Sequence, residues 1–234
     1  MSSTRVLIAD DHSAIRAGLR LVLEAAPDIE VVAEAADGEG AVRQARALRP
    51  DVVLMDIRMP GTDGIEATKA ITAQGLSEVL ILTTFDVDEY LFGALRAGAA
   101  GFLLKTVEPG NLIDAVRRIA AGDGVLAPEV TRRLLAAFTS GPALNPAPNP
   151  FLNPPVRPEL RALTSLTSRE HDILAALGRG LSNADIAAEL SISEATAKTH
   201  VSRVLAKLAL TSRVQAAIIA KEAGLARLNR MPGA

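Results

Sequence analysis

The chain contains no cysteine among its 234 residues. Neither a disulfide framework nor a thiolate metal site can form, and nothing points to an oxidising compartment. No apolar run approaches the length of a membrane span. No secretory leader is expected either: only four apolar or small residues separate Arg5 from Asp10, too short and too soon acidic a stretch for a signal peptide. The expectation is a soluble, cytoplasmic protein with no membrane contact. Strong charge of one sign is absent as well, since the formal net charge is −2. That near-balance conceals halves of opposite sign: residues 1–156 carry 14 Lys and Arg against 20 Asp and Glu, and residues 157–234 carry 11 against 7. An acidic half suits carboxylates gathered around a cation and a basic half suits phosphate backbones, although ordinary surface variation also produces a bias of this size.

What the chain does have is organisation. Hydrophobic residues make up 49% of it, enough for two compact domains or one large one. The segment 140–158, SGPALNPAPNPFLNPPVRP, decides between them, because it holds seven of the thirteen prolines. Each proline removes a backbone donor and pushes the preceding residue out of helical geometry. An extended, semi-rigid linker is predicted there. The reading is an N-terminal domain over 1–124, a connecting region over 125–162 with a helix at about 128–139 followed by the Pro- and Asn-rich linker, and a C-terminal domain over 163–234.

In the N-terminal domain, apolar and β-branched runs at Val6–Ala9, Val31–Ala35, Val52–Met55, Val79–Leu82 and Gly101–Leu104 alternate with helical patterns such as Ile15, Leu19, Val22, Leu23 and Leu112, Ile113, Val116, Ile119. Five strands separated by helices predict an α/β domain, a doubly wound five-stranded parallel sheet covered on both faces. Ligands bind such sheets beyond the carboxyl ends of the strands. Those ends carry Asp10 and Asp11, Asp56, Thr83 and Thr84, and Lys105. Three crowded carboxylates repel one another, and a hard divalent cation such as Mg2+ relieves the repulsion. Asp56 could then attack a phosphoryl group while Lys105 and Thr83 bind its oxygens. Singly, each of these residues reads better as a cap, a loop acid, a strand residue or a solvated lysine; together, at five correct strand ends, they do not. His12 is expected to be a capping or surface residue.

The C-terminal domain loses the strand signals. Helical patterns at roughly 168–178, 182–189, 194–208 and 211–223, with Thr167 and Ser193 as N-caps, predict a small all-α, four-helix domain. Ser182 to Leu190, a turn at Ser191 to Ser193 and a helix from Glu194 have helix-turn-helix spacing. In the second of these helices Ala197, Val201, Val204, Leu205 and Leu208 form an inner stripe. Thr196, Lys198, Thr199, Ser202, Arg203 and Lys207 are left outward, as either a groove-reading face or a plain solvated one.

The strings LIADDH, LMDIRMPGTDG, ILTTF and GFLLK resemble the receiver domain of two-component response regulators over residues 4 to about 124. The resemblance implies a flavodoxin-like fold with Asp56 as phosphoacceptor. It also implies Mg2+ bound by Asp11, Asp56 and the backbone carbonyl of Arg58, with Asp10 helping through water. Thr83 and Phe102 match the family's switch pair, and Lys105 its phosphate-binding lysine. Where the family usually has proline after that lysine, often in a cis bond, this chain has Thr106, and the geometry there is left open. The string from Leu166 to about Leu225 is similar to the LuxR-type output domain, whose recognition helix would be Glu194 to Leu208 and whose dimerisation helix would begin at Ser212. Ala197 stands where that family usually has valine. The two domains together resemble the NarL/FixJ subfamily. The resemblance implies a transcription regulator rather than an enzyme, phosphorylated by a cognate sensor histidine kinase, forming a homodimer on activation and binding double-stranded promoter DNA. The rival readings are an atypical regulator that binds DNA without phosphorylation and a metal-dependent phosphatase using Asp56. The second would want an acid at position 58, which is Arg58.

Overall fold

In the computed structural model, residues 3–83, 87–126 and 163–225 are described, apart from the side chains of residues 87–89, 126 and 222. The predicted helix at 128–139, the linker and Thr84 lie outside the described residues. The chain divides into two compact units, residues 1–147 and 148–234.

The first unit holds β1 (Thr4–Ala9), α1 (Ser13–Glu24), β2 (Ile29–Ala35), α2 (Gly38–Leu48), β3 (Val52–Asp56), α3 (Gly64–Ala73), β4 (Glu78–Thr83), α4 (Val87–Arg96), β5 (Gly101–Leu104) and α5 (Pro109–Ala120). All five predicted strands are present. A two-residue strand, β6 (Val125–Leu126), pairs with the outer edge of β5 and extends the sheet. Two residues are too few to leave a periodic signal in a sequence. Strand order is β2-β1-β3-β4-β5-β6 and every pairing is parallel. A parallel sheet must be covered on both faces. Accordingly α1 and α5 pack together, as do α2 with α3 and α3 with α4, and Val6, Leu7, Ile8, Val52, Val53 and Leu80 are fully buried. The order reverses between β1 and β3, so a crevice opens beyond their carboxyl ends.

Local chemistry fixes the segments around that crevice. Asp63 caps α3, its carboxylate accepting from the N–H groups of Ile65 and Glu66 at 2.9 and 2.8 Å. Pro109 opens α5, where its missing N–H costs nothing. Gly64 begins α3 directly against the end of β3, its N–H bonded to the Ile57 carbonyl at 2.9 Å.

The second unit holds a 3-10 turn (Leu163–Ser165), α6 (Ser168–Gly178), α7 (Asn183–Leu190), α8 (Glu194–Lys207) and α9 (Arg213–Glu222). A hydroxyl caps each helix: Thr167, Ser182, Ser193 and Ser212 all accept from a backbone N–H of the first turn. Ser182 is thus the cap rather than the first residue of its helix. Ile173, Leu174, Leu177, Ile186, Ala197, Val204 and Leu208 form the core, with Ile192 of the α7–α8 turn and Leu205 packed against it. No described helix is long and apolar enough to cross a membrane.

A Cβ at position 64 would lie 1.9 Å from the carbonyl oxygen of Asp56, a contact between two backbones that no side-chain rotation relieves. Gly64→Ala is therefore expected to destabilise the first unit by about 1–3 kcal/mol, measured as a lower urea midpoint at unchanged slope.

Candidate functional site

The carboxyl ends of the central strands bring the predicted residues together. Asp10 follows β1, Asp56 ends β3, Thr83 ends β4 and Lys105 follows β5. Lys105 Nζ lies 2.7 Å from Asp10 Oδ2 and 3.0 Å from Asp56 Oδ2. Both carboxylates are buried, at 1% and 7% exposure, which makes the shared amine the group that compensates their desolvation. The Lys105 N–H donates to the Thr83 carbonyl at 2.7 Å, tying the two strand ends together. Thr83 is buried, and the Phe102 ring is fully enclosed. No described peptide bond is cis, so the Lys105–Thr106 bond is trans. Arg58 is exposed beyond β3.

Burial pushes the Asp56 carboxyl above its ordinary 3.8, against the opposing pull of Lys105; the negative charge of Asp10 adds to the rise. For Lys105 burial acts to lower the pKa, yet hydrogen bonds to Asp10 and Asp56 outweigh it, and the net shift is upward from 10.5.

Donor atoms of Asp10, Asp11 and His12 lie within 4.8 Å of one another and form a metal-competent group among the described residues. The predicted set adds to Asp10 and Asp11 the Arg58 carbonyl and Asp56, whose Oδ2 lies 3.0 Å from Lys105 Nζ. The hard carboxylate donors suit Mg2+. His12 does not cap α1 with its side chain; its exposed ring places Nδ1 2.6 Å from Asp11 Oδ1. Arg16 anchors the same loop, donating from Nη1 to the Asp10 carbonyl at 2.7 Å and from Nε to Glu34 at 3.2 Å. No sequence signal marks that strut.

In the second unit, Thr196, Lys198, Thr199, Ser202 and Arg203 are all exposed on α8. Thr199 and Ser202 donate to the carbonyls of Ala195 and Lys198 at 2.9 and 3.0 Å, leaving their oxygens outward as acceptors. Thr196 Oγ1 shares a hydrogen bond with the capping Ser193. Lys207 is exposed as well, and its Nζ sits 2.7 Å from Oε2 of the buried Glu170 on α6. Lys207, with help from the Thr167 N–H and hydroxyl, lowers the Glu170 carboxyl from 4.5 to about 2. The Thr-x-x-Glu box at Thr167–Glu170 was legible in the sequence as a helix start; its cation was not.

Comparison with known proteins agrees with both halves. A family model described as the response regulator receiver domain matches residues 6–117, and one described as bacterial regulatory proteins, luxR family, matches residues 164–220. The transcriptional regulatory protein LiaR of Bacillus subtilis is 41% identical over 219 residues, 92% of this chain and 96% of that protein. The nitrate/nitrite response regulator protein NarL of Escherichia coli is 37% identical over 91% of this chain and 93% of its own length. This chain belongs to the two-component response regulators. The crystal structure of response regulator ChrA, from a heme-sensing two-component system, matches the regulator at 40% identity and TM-score 0.52, covering 96% of this chain and 100% of that one. The regulator therefore joins a receiver domain to a LuxR-type DNA-binding domain and regulates transcription.

Because the folded pKa of Asp56 lies above its unfolded value, ionisation of Asp56 costs stability at neutral pH. That cost vanishes below the unfolded pKa. Asp56→Asn is expected to raise the thermal midpoint of the receiver near neutral pH in metal-free buffer. Calorimetry across pH should show the gain shrinking as pH falls toward 3.8.

Proposed function

We propose that a sensor histidine kinase phosphorylates the regulator on Asp56, and that the phosphorylated form dimerises on promoter DNA. The observation that carries this reading is the Lys105 amine held at 2.7 and 3.0 Å between Asp10 and Asp56. An Asp56 oxygen attacks phosphorus as the donor's phosphorus–nitrogen bond breaks, and the electron pair leaves with the imidazole. Lys105 then exchanges a carboxylate for a phosphoryl oxygen, and the Thr83 hydroxyl donates to another. The burial of Phe102 supports its reading as the aromatic partner of Thr83 in the switch. Asp10, Asp11, Asp56 and the Arg58 carbonyl would hold Mg2+, which when bound neutralises phosphoryl oxygens as a Lewis acid. The domains run over 1–124 and 163–234 with a connector between, and the whole acts in the cytoplasm.

Intact mass after incubation with a small-molecule phosphoryl donor and Mg2+, followed by size-exclusion chromatography, tests the switch. Wild type should gain one phosphoryl group and dimerise, and Asp56→Asn should do neither. A folded wild type that gains nothing, or that is dimeric regardless of donor, sinks the proposal.

In the LuxR-type domain, α8 is the recognition helix. Lys198 and Arg203 contact phosphates, while Thr196, Thr199 and Ser202 face the groove. Dimerisation through α9 would set two such helices about 34 Å apart, one turn of DNA. Lys198→Ala and Arg203→Ala should each weaken binding and shallow the salt dependence by about 0.9 in log–log slope. Lys207→Ala should leave that slope unchanged while lowering domain stability. Fluorescence anisotropy at several salt concentrations distinguishes the two classes.

A further inference from the structure

We propose that His12 adds a nitrogen ligand to the receiver's cation pocket, giving this regulator a site for a first-row transition ion such as Zn2+ that competes with magnesium. The inference rests on the cation pocket of the reading above. Its geometry is that of a three-residue donor set: His12 Nδ1 stands 2.6 Å from Asp11 Oδ1 and 3.8 Å from Asp10 Oδ1. Ligands about 2.1 Å from one tetrahedral ion sit roughly 3.4 Å apart, a value these two distances bracket. Asp10 is fixed by burial, by Lys105 and by Arg16 on its carbonyl, and its Oδ1 accepts the His12 N–H at 2.9 Å. The His12 side chain, 69% exposed, is free to make the small adjustment. With the ring proton on Nε2, the imidazole offers its Nδ1 lone pair to the metal.

Donor chemistry sets the selectivity. Mg2+ prefers six oxygens and gains little from an imidazole, whereas nitrogen with two carboxylates suits zinc and its neighbours. A zinc ion held by Asp10, Asp11 and His12 draws Asp10 into its own coordination and displaces magnesium from the pocket. The chain offers few confounding sites, having no cysteine and three histidines. Of the other two, His171 is half-buried with Nε2 3.0 Å from the Leu163 carbonyl.

Titration calorimetry on the full chain with ZnCl2 and, separately, MgCl2, on wild type and His12→Ala, tests the inference. Zn2+ affinity should fall at least about tenfold in the variant, the scale on which metal sites respond to lost support, while Mg2+ affinity holds. His12→Gln, which keeps the bulk and loses the nitrogen donor, should behave like His12→Ala. Zn2+ affinity unchanged in both variants overturns the inference, whether or not magnesium binds. A zinc site lost with His12 in a chain that takes up no magnesium upholds it and removes magnesium from the reading above.

Discussion

The receiver is organised around one ammonium group shared by two buried carboxylates. Asp10 and Asp56 come from strands on either side of the sheet's switch point, and without Lys105 their charges would stand unopposed in a desolvated crevice. The surrounding structure serves to hold that arrangement. β5 delivers Lys105 and is tied to β4 through the Thr83 carbonyl. Gly64 lets α3 start a backbone's width from Asp56. Arg16 fixes the β1–α1 loop from the other side. The second domain uses the same device for another end, with Lys207 neutralising the buried Glu170 and bracing α8 against α6.

These two ion pairs respond oppositely to acid. Asp56 is shifted up by burial, so its ionised form is tolerated rather than favoured. Glu170 is shifted down to about 2, so the stability it contributes is present above pH 4.5 and is lost as pH falls toward 2. The difference follows from what surrounds each carboxylate. Glu170 has a cation, a backbone N–H and a hydroxyl to itself, whereas Asp56 shares its cation with a second carboxylate in a buried site. A carboxylate held above its ordinary pKa and one held below it are thus built from the same elements.

Most of the fold was legible in the sequence because its signals are local. Five apolar runs alternating with helical patterns dictated the sheet, and Thr167 and Ser193 announced helix starts within a residue. The convergence of Asp10, Asp56, Thr83 and Lys105 was equally readable, since the carboxyl ends of parallel strands must meet at one edge. What escaped was non-local and side-chain specific. β6 is too short for any period to reveal. Lys207 looks outward by helical spacing, and only the position of α6 shows that Glu170 claims it. His12 is the exposed N-cap residue of α1, in keeping with its reading, and only the contact of its ring with the neighbouring Asp11 was not encoded in the linear pattern.

The depth of Asp56 bears on time as well as on chemistry. With 7% of its surface reaching solvent and Lys105 covering one oxygen, a group attached there would meet water only along a narrow approach. The persistence of a signal would then be written into the walls of the crevice.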